Sequence, residues 1–269
     1  MNITIIIPIH EYSEQISNYL DKAIESIRKQ ENAEISKVIA VYAASIEHDI
    51  KNYFQRHVDL NIVLLKNDGN TDYQSQVNLA VDSVETNYFS VLEFDDEIST
   101  AFIKNAEKYV ESYPDVDVFL TMMIEVNEKN EGIKLTNETV WAQQFVGENG
   151  ELGYLNLNAL KQYTDFKLSG AVIKKSEFIN VGKYKSNIKL TFMYEFLLRA
   201  LNNACKVFTI PKIGYKHFAN REGSLFDGYF KNMPVEERKF WFETATKESN
   251  FTNDRIIDIS KLQKIVVEK

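Results

Sequence analysis

Four short apolar runs, at residues 3–7, 38–42, 61–65 and 88–94, alternate with segments of helical periodicity in the first part of the chain. The first run is β-branched and uninterrupted by polar residues, the pattern of a strand covered on both faces. Pro8 closes it. Ser13 then offers a helix N-cap, and Ile16, Leu20, Ala23, Ile24 and Ile27 follow at helical spacing. Residues 46–57 and 73–84 read as further helices, with a turn at Asn67-Asp68-Gly69-Asn70 before the second. This βαβα order predicts an α/β fold: a mainly parallel, Rossmann-like sheet with helices on both faces. Ligands in such sheets sit outside the carboxyl ends of the strands.

One of those ends carries the cluster Glu93-Phe94-Asp95-Asp96-Glu97. Carboxylates so close repel unless a positive charge lies between them. A divalent cation holding a diphosphate supplies it, since Mg²⁺ and Mn²⁺ favour oxygen ligands and substrate phosphates. The competing reading makes Asp96 or Glu97 a cap on a helix starting near Thr100.

Further along, residues 100–113 read as a helix and 116–125 as a strand. Residues 127–153 are polar, with Gly132, Gly147, Gly150 and Gly153, and read as a functional loop at the entrance to the site. A strand at 168–173, an apolar helix at 190–203 with Glu195 and Arg199, and a strand at 206–210 ended by Pro211 follow. Residues 226–248 read as helical, broken near Pro234.

Composition narrows the function classes. At 269 residues and 44% hydrophobic, the chain is long enough for a sizeable core. A net charge of −8 disfavours nonspecific polyanion binding. Cys205 has no partner for a disulfide, and no apolar run approaches the roughly 18 residues that span a bilayer. With no signal-peptide pattern at the start, a cytoplasmic protein is expected.

The strand closed by proline, Ile5-Ile6-Ile7-Pro8-Ile9-His10-Glu11-Tyr12, and the helix end Ser26-Ile27-Arg28-Lys29-Gln30, followed by the Glu93–Glu97 cluster, make the chain resemble the family 2 glycosyltransferases; the first two match the family's opening strand and helix end. Asn67-Asp68-Gly69, Asn78 and the Glu93–Glu97 cluster occupy its Asn-x-Gly, helical Asn and Asp-x-Asp-Asp places. Later come Leu168-Ser169-Gly170-Ala171-Val172-Ile173, the turn Val181-Gly182-Lys183-Tyr184, the acceptor-helix segment Tyr194-Glu195-Phe196-Leu197-Leu198-Arg199, and Tyr215-Lys216-His217 with Arg221-Glu222-Gly223-Ser224-Leu225. Two departures stand out. Val41-Tyr42-Ala43-Ala44-Ser45 lacks the Asp pair that follows the family's second strand, and Glu93 replaces the first Asp of the metal motif.

The resemblance implies a GT-A fold with a nucleotide-sugar half at 1–98, an acceptor half at 99–225 and a helical C-terminal extension at 226–269. It implies inverting transfer from a nucleoside-diphosphate sugar, UDP favoured, with Mn²⁺ or Mg²⁺. Asp95 is then the main metal ligand, with Glu93, Asp96 and His217 assisting; His217 also suits the diphosphate or a plain surface position. Pro8, Glu11, Tyr42, Asn67, Asp68, Asn78, Asp95, Arg221 and Ser224 become donor contacts, with Tyr42 either stacking on the base or packing in the core. Glu195 becomes the general base, or an i,i+4 partner of Arg199, or both. The family's acidic pair falls at Phe192-Met193 or is replaced by Tyr194-Glu195. Trp141, Trp241 and the Phe226, Tyr229, Phe230 group offer a sugar-stacking platform or ordinary packing. The acceptor is left open among a glycan, a lipid-linked sugar, a protein and a modified DNA base. A catalytically silent scaffold of the same fold is the alternative. A nucleotidyltransferase is disfavoured, because Pro8-Ile9-His10-Glu11-Tyr12 is not a Gly-rich basic loop.

Overall fold

The computed structural model describes residues 1–31, 35–138, 153–219, 221, 224, 228–229 and 232–252. Its sheet begins with β1 (Ile3–Ile9), β2 (Lys37–Ala43), β3 (Ile62–Asn67) and β4 (Tyr88–Val91). These four are parallel in the order β3-β2-β1-β4. The order reverses direction at β1, which opens a crevice at the carboxyl ends of β1 and β4.

Successive residues of β1 enter different cores. Ile6 packs with α3 (Tyr73–Asp82), while Ile5, Ile7 and Ile9 pack with α1 (Glu14–Arg28) and α2 (Glu47–Phe54). Period-2 alternation of an all-apolar strand therefore fills both layers, each buried isoleucine contributing about 1.5–3 kcal/mol. Ser13 caps α1 as expected, its hydroxyl accepting from the Ile16 N–H at 3.3 Å. Ile16, Leu20, Ala23, Ile24 and Ile27 are all buried.

The second half is mixed. A two-residue β5 (Glu97–Ile98) precedes α4 (Phe102–Ser112); then come β6 (Val118–Val126), β7 (Gly132–Thr136), α5 (Leu157–Gln162), β8 (Val172–Lys174), α6 (Lys175–Asn180), α7 (Phe192–Asn202), β9 (Val207–Phe218) and α8 (Val235–Glu248). β8 runs antiparallel to β4 and β6, and β9 runs parallel to β6. No described helix is long and apolar enough to cross a membrane.

Three expectations are corrected. Pro211 does not end its strand: β9 continues to Phe218, and its ladder with β6 shifts register between Thr121 and Met123. That irregularity absorbs the N–H proline lacks. Residues 168–171 form a turn rather than strand, with Gly170 at φ +69°. Asp96 and Glu97 cap nothing, since Ala101 precedes α4; Glu97 pairs instead with Lys216 on β9 at 2.5 Å.

Helix α8 packs on α7. Tyr194 and Phe242 ring centroids lie 5.7 Å apart, the Thr191 hydroxyl donates to the Trp241 carbonyl, and Ala245 is fully buried. Trp241 thus belongs to packing.

Candidate active site

β4 stops at Val91, and the chain turns so that Glu93, Asp95 and Asp96 each present a carboxylate oxygen within 4.8 Å of the others. The turn is held from β9 and from the 168–171 segment. The Glu93 N–H donates to the Tyr215 hydroxyl at 3.0 Å, and the Ser169 hydroxyl donates to the Glu93 carboxylate at 2.5 Å. Gly170 permits this approach: a Cβ there would stand 2.3 Å from the Tyr215 ring, at a backbone angle that side chains rarely adopt. Removing the hydroxyl in Tyr215→Phe leaves the Glu93 N–H without its partner. A denaturant titration should show a loss of about 1–2 kcal/mol with the slope unchanged.

Cations answer the cluster. Arg221 Nε donates to Asp95 Oδ2 at 2.6 Å, and its guanidinium lies 5.1 Å over the Phe94 ring and 3.7 Å from Glu11. Asp96, 1% exposed, accepts from the His217 ring at 3.0 Å and from the Phe218 N–H at 2.8 Å. Burial and then the neighbouring Asp96 charge push the Glu93 carboxyl up to about 7. The same two causes raise Asp95 to about 6, although Arg221 pulls the other way. Burial works against charge on His217, but the Asp96 carboxylate outweighs it and the ring's pKa rises to about 10. The described cations thus only partly neutralise the cluster. An all-oxygen donor set of this kind fits a hard divalent ion.

A cavity of about 310 Å³ opens over the cluster. It brings together Pro8, Glu93, Asp95, His217, Arg221 and Ser224, with Glu11 adjoining through Arg221. Asp96 lies behind, orienting His217. Tyr229 also lines it.

The remaining candidates stand elsewhere. Tyr42 is 2% exposed within the core against α1 and α2. Asn67 ties its own turn, its amide donating to the Asn70 carbonyl at 2.7 Å and accepting from the Gly69 N–H at 2.9 Å. Asp68 is a surface partner of Lys66 at 3.2 Å. Asn78 clamps the 181–184 turn by two bonds to the Tyr184 backbone, at 2.8 and 3.0 Å.

Glu195 is fully buried: both oxygens are bonded by Arg199, at 2.8 and 2.9 Å, and Lys185 lies 3.3 Å away. The ion-pair reading thus describes where Glu195 sits, away from the residues that line the cavity. Trp141, Phe226 and Phe230, with Glu222, Gly223 and Leu225, lie outside the described residues.

Sequence reasoning missed Ser169 and Tyr215 as supports of Glu93, and Lys167 on the cavity wall. Burial holds the Lys167 ammonium below its ordinary value. Asn137 fixes that wall, its amide donating to the Thr121 and Lys167 carbonyls, both at 2.9 Å, and accepting from the Lys167 N–H at 2.8 Å. Ser169 and Tyr215 stood in family-like segments, but nothing in the sequence paired them with Glu93.

Residues 4–171 match the model of glycosyl transferase family 2. The uncharacterized glycosyltransferase MJ1057 of Methanocaldococcus jannaschii is 23% identical over 211 residues, covering 77% of this chain and 68% of that protein. The crystal structure of S. aureus TarS in complex with UDP-GlcNAc superposes with a TM-score of 0.66 at 19% identity, over 91% of this chain. The chain spans 65% of that neighbour's length. The mannosyltransferase PcManGT from Pyrobaculum calidifontis, in complex with GDP-Man and Mn²⁺, gives a TM-score of 0.57 at 12% identity, over 94% of this chain and 70% of that one. These likenesses show the GT-A fold. On the family match, which covers the parallel half of the sheet and the acidic cluster, the chain belongs to glycosyl transferase family 2.

Proposed function

We propose that the protein is a metal-dependent, inverting glycosyltransferase that moves a sugar from a nucleoside-diphosphate sugar, UDP favoured, to an acceptor hydroxyl. The observation that carries this reading is the convergence of Glu93, Asp95 and Asp96 within 4.8 Å, beside Arg221 and His217 in one cavity. Asp95, with Glu93 or Asp96, would hold Mn²⁺ or Mg²⁺, which when bound offsets charge on a departing diphosphate by several kcal/mol. Arg221 exchanges part of its hold on Asp95 for diphosphate oxygens, a fork geometry suited to phosphate. His217, charged at neutral pH, serves the same anion; to ligate the metal it would first give up its proton. Pro8 and Glu11 border the nucleotide side, and Ser224 lies on the diphosphate or acceptor side. Residues 1–98 then form the donor half and 99–225 the acceptor half, with α8 bracing α7.

The second reading, a silent scaffold, draws on the sequence Ala43-Ala44-Ser45 after β2, where no carboxylate is available for the nucleoside. Calorimetric titration with UDP, GDP, CDP and TDP, each with and without Mn²⁺, separates the two. One nucleotide should bind, and the metal should tighten that binding. A folded protein that binds none of them supports the scaffold.

A further inference from the structure

An attacking acceptor hydroxyl needs somewhere to leave its proton, and Glu195, fully buried, is closed to it. Helix α7 instead offers the cavity Phe192 and Met193, neither of which takes a proton. The described carboxylates lining the cavity are Asp72, Glu93, Asp95, Glu125 and Asp165. Asp72 uses both oxygens as the cap of α3, accepting from the Ser75 N–H and hydroxyl at 2.8 Å each. Glu93 and Asp95 belong to the acidic cluster. Asp165 is 60% exposed, with one oxygen 2.6 Å from Lys134 and the other 3.9 Å from Lys167.

Glu125 is different. Among the described residues its hydrogen bond and its ion pair both fall on Oε1: the Thr136 hydroxyl donates at 2.7 Å and Lys134 Nζ lies 3.3 Å away. Oε2 accepts no hydrogen bond among the described residues. The side chain is 11% exposed, so it is shielded yet reaches the cavity. The β6–β7 ladder shifts register between Glu125 and Val126, the kind of irregularity that re-aims a side chain. On its other side Glu125 is the register partner of His217, which places it beside the cluster.

The geometry points to Glu125 as the general base for the acceptor, an assignment that rests on the glycosyltransferase reading. The acceptor oxygen bonds to the anomeric carbon as the bond from that carbon to the diphosphate oxygen breaks. The electron pair leaves with the diphosphate. The hydroxyl proton passes to Oε2 of Glu125 and then to solvent. Thr136 fixes the carboxylate plane through Oε1, and Lys134 sets a positive charge against it. A positioned base contributes about 10²–10⁴-fold.

The test uses UDP-, GDP-, CDP- and TDP-glucose with Mn²⁺ and water as the acceptor, reading nucleoside diphosphate released, alongside calorimetry with the nucleotide alone. Glu125→Gln should bind nucleotide as the wild type does and release diphosphate roughly 10²–10⁴-fold more slowly. Formate should restore part of the rate in Glu125→Ala. Unchanged release by Glu125→Gln overturns the assignment. Should that variant not fold, Glu125→Asp decides: it keeps the charge but withdraws the oxygen by one methylene, and a wild-type rate there also overturns it. A wild-type protein that binds no nucleotide or releases no diphosphate defeats the glycosyltransferase reading itself, and the assignment falls with it.

Discussion

Glu195→Ala should be among the most destabilising single substitutions in the chain, lowering unfolding free energy by about 3–5 kcal/mol. The change leaves Arg199, itself 0% exposed, as a buried cation without its carboxylate, and Lys185 at 4% exposure loses the same partner. Against a total stability of roughly 5–15 kcal/mol, that is a large fraction. Removing Arg199 as well should recover only part of the loss. Arg199 also donates to the Val181 and Lys183 carbonyls, and those acceptors would be left bare at about 1–3 kcal/mol each. Denaturant unfolding of Glu195→Ala, Glu195→Gln and the double variant checks this. A Glu195→Gln protein of wild-type stability that binds nucleotide normally yet releases no diphosphate would return Glu195 to catalysis.

The same residue marks the limit of what the sequence discloses. The spacing of Glu195 and Arg199 showed an i,i+4 pair, but a pair on a helix surface and a pair at its buried face share that spacing. Depth is set by α6, the turn that ends it and α8, none of them part of α7 itself. The parallel half was legible because each of its strands is a local apolar run and its helices carry local periodicity. The acidic cluster was legible because its carboxylates lie close together in the sequence, interrupted only by Phe94.

What supports the cluster was not. Tyr215 reaches the Glu93 N–H across 122 positions, and Ser169 reaches its carboxylate across 76. Glu125 and Thr136 meet through a β-ladder. Asn78 shows the converse: a polar residue in a family-like place has a structural task, clamping a turn 106 positions away, that its own sequence neighbourhood does not show. Pro211 misled for a related reason, since the loss of one N–H matters only where a neighbouring strand would have accepted it.

Asp95→Asn should separate function from stability. The amide keeps the volume and can still accept from Arg221 Nε, 2.6 Å from Oδ2 in the native protein. It removes one of three mutually repelling charges, in a place where burial and Asp96 already push the carboxyl up to about 6. Thermal stability should therefore hold or rise, as expected where a site is strained for its ligand. Metal-dependent nucleotide binding should fall at least ~100-fold, about 2.7 kcal/mol, because a hard cation loses its central anionic oxygen. The metal-independent component of binding should change little, since Pro8, Arg221 and His217 remain in the cavity. Titrations of wild type and variant, each with Mn²⁺ and with chelator, resolve the two components. If Asp95→Asn binds as tightly as wild type with Mn²⁺ and also melts at the same temperature, the cluster holds no cation. Its three carboxylates would then be organised by Arg221, His217, the Ser169 hydroxyl and the Phe218 N–H, as a structural knot at the end of β4.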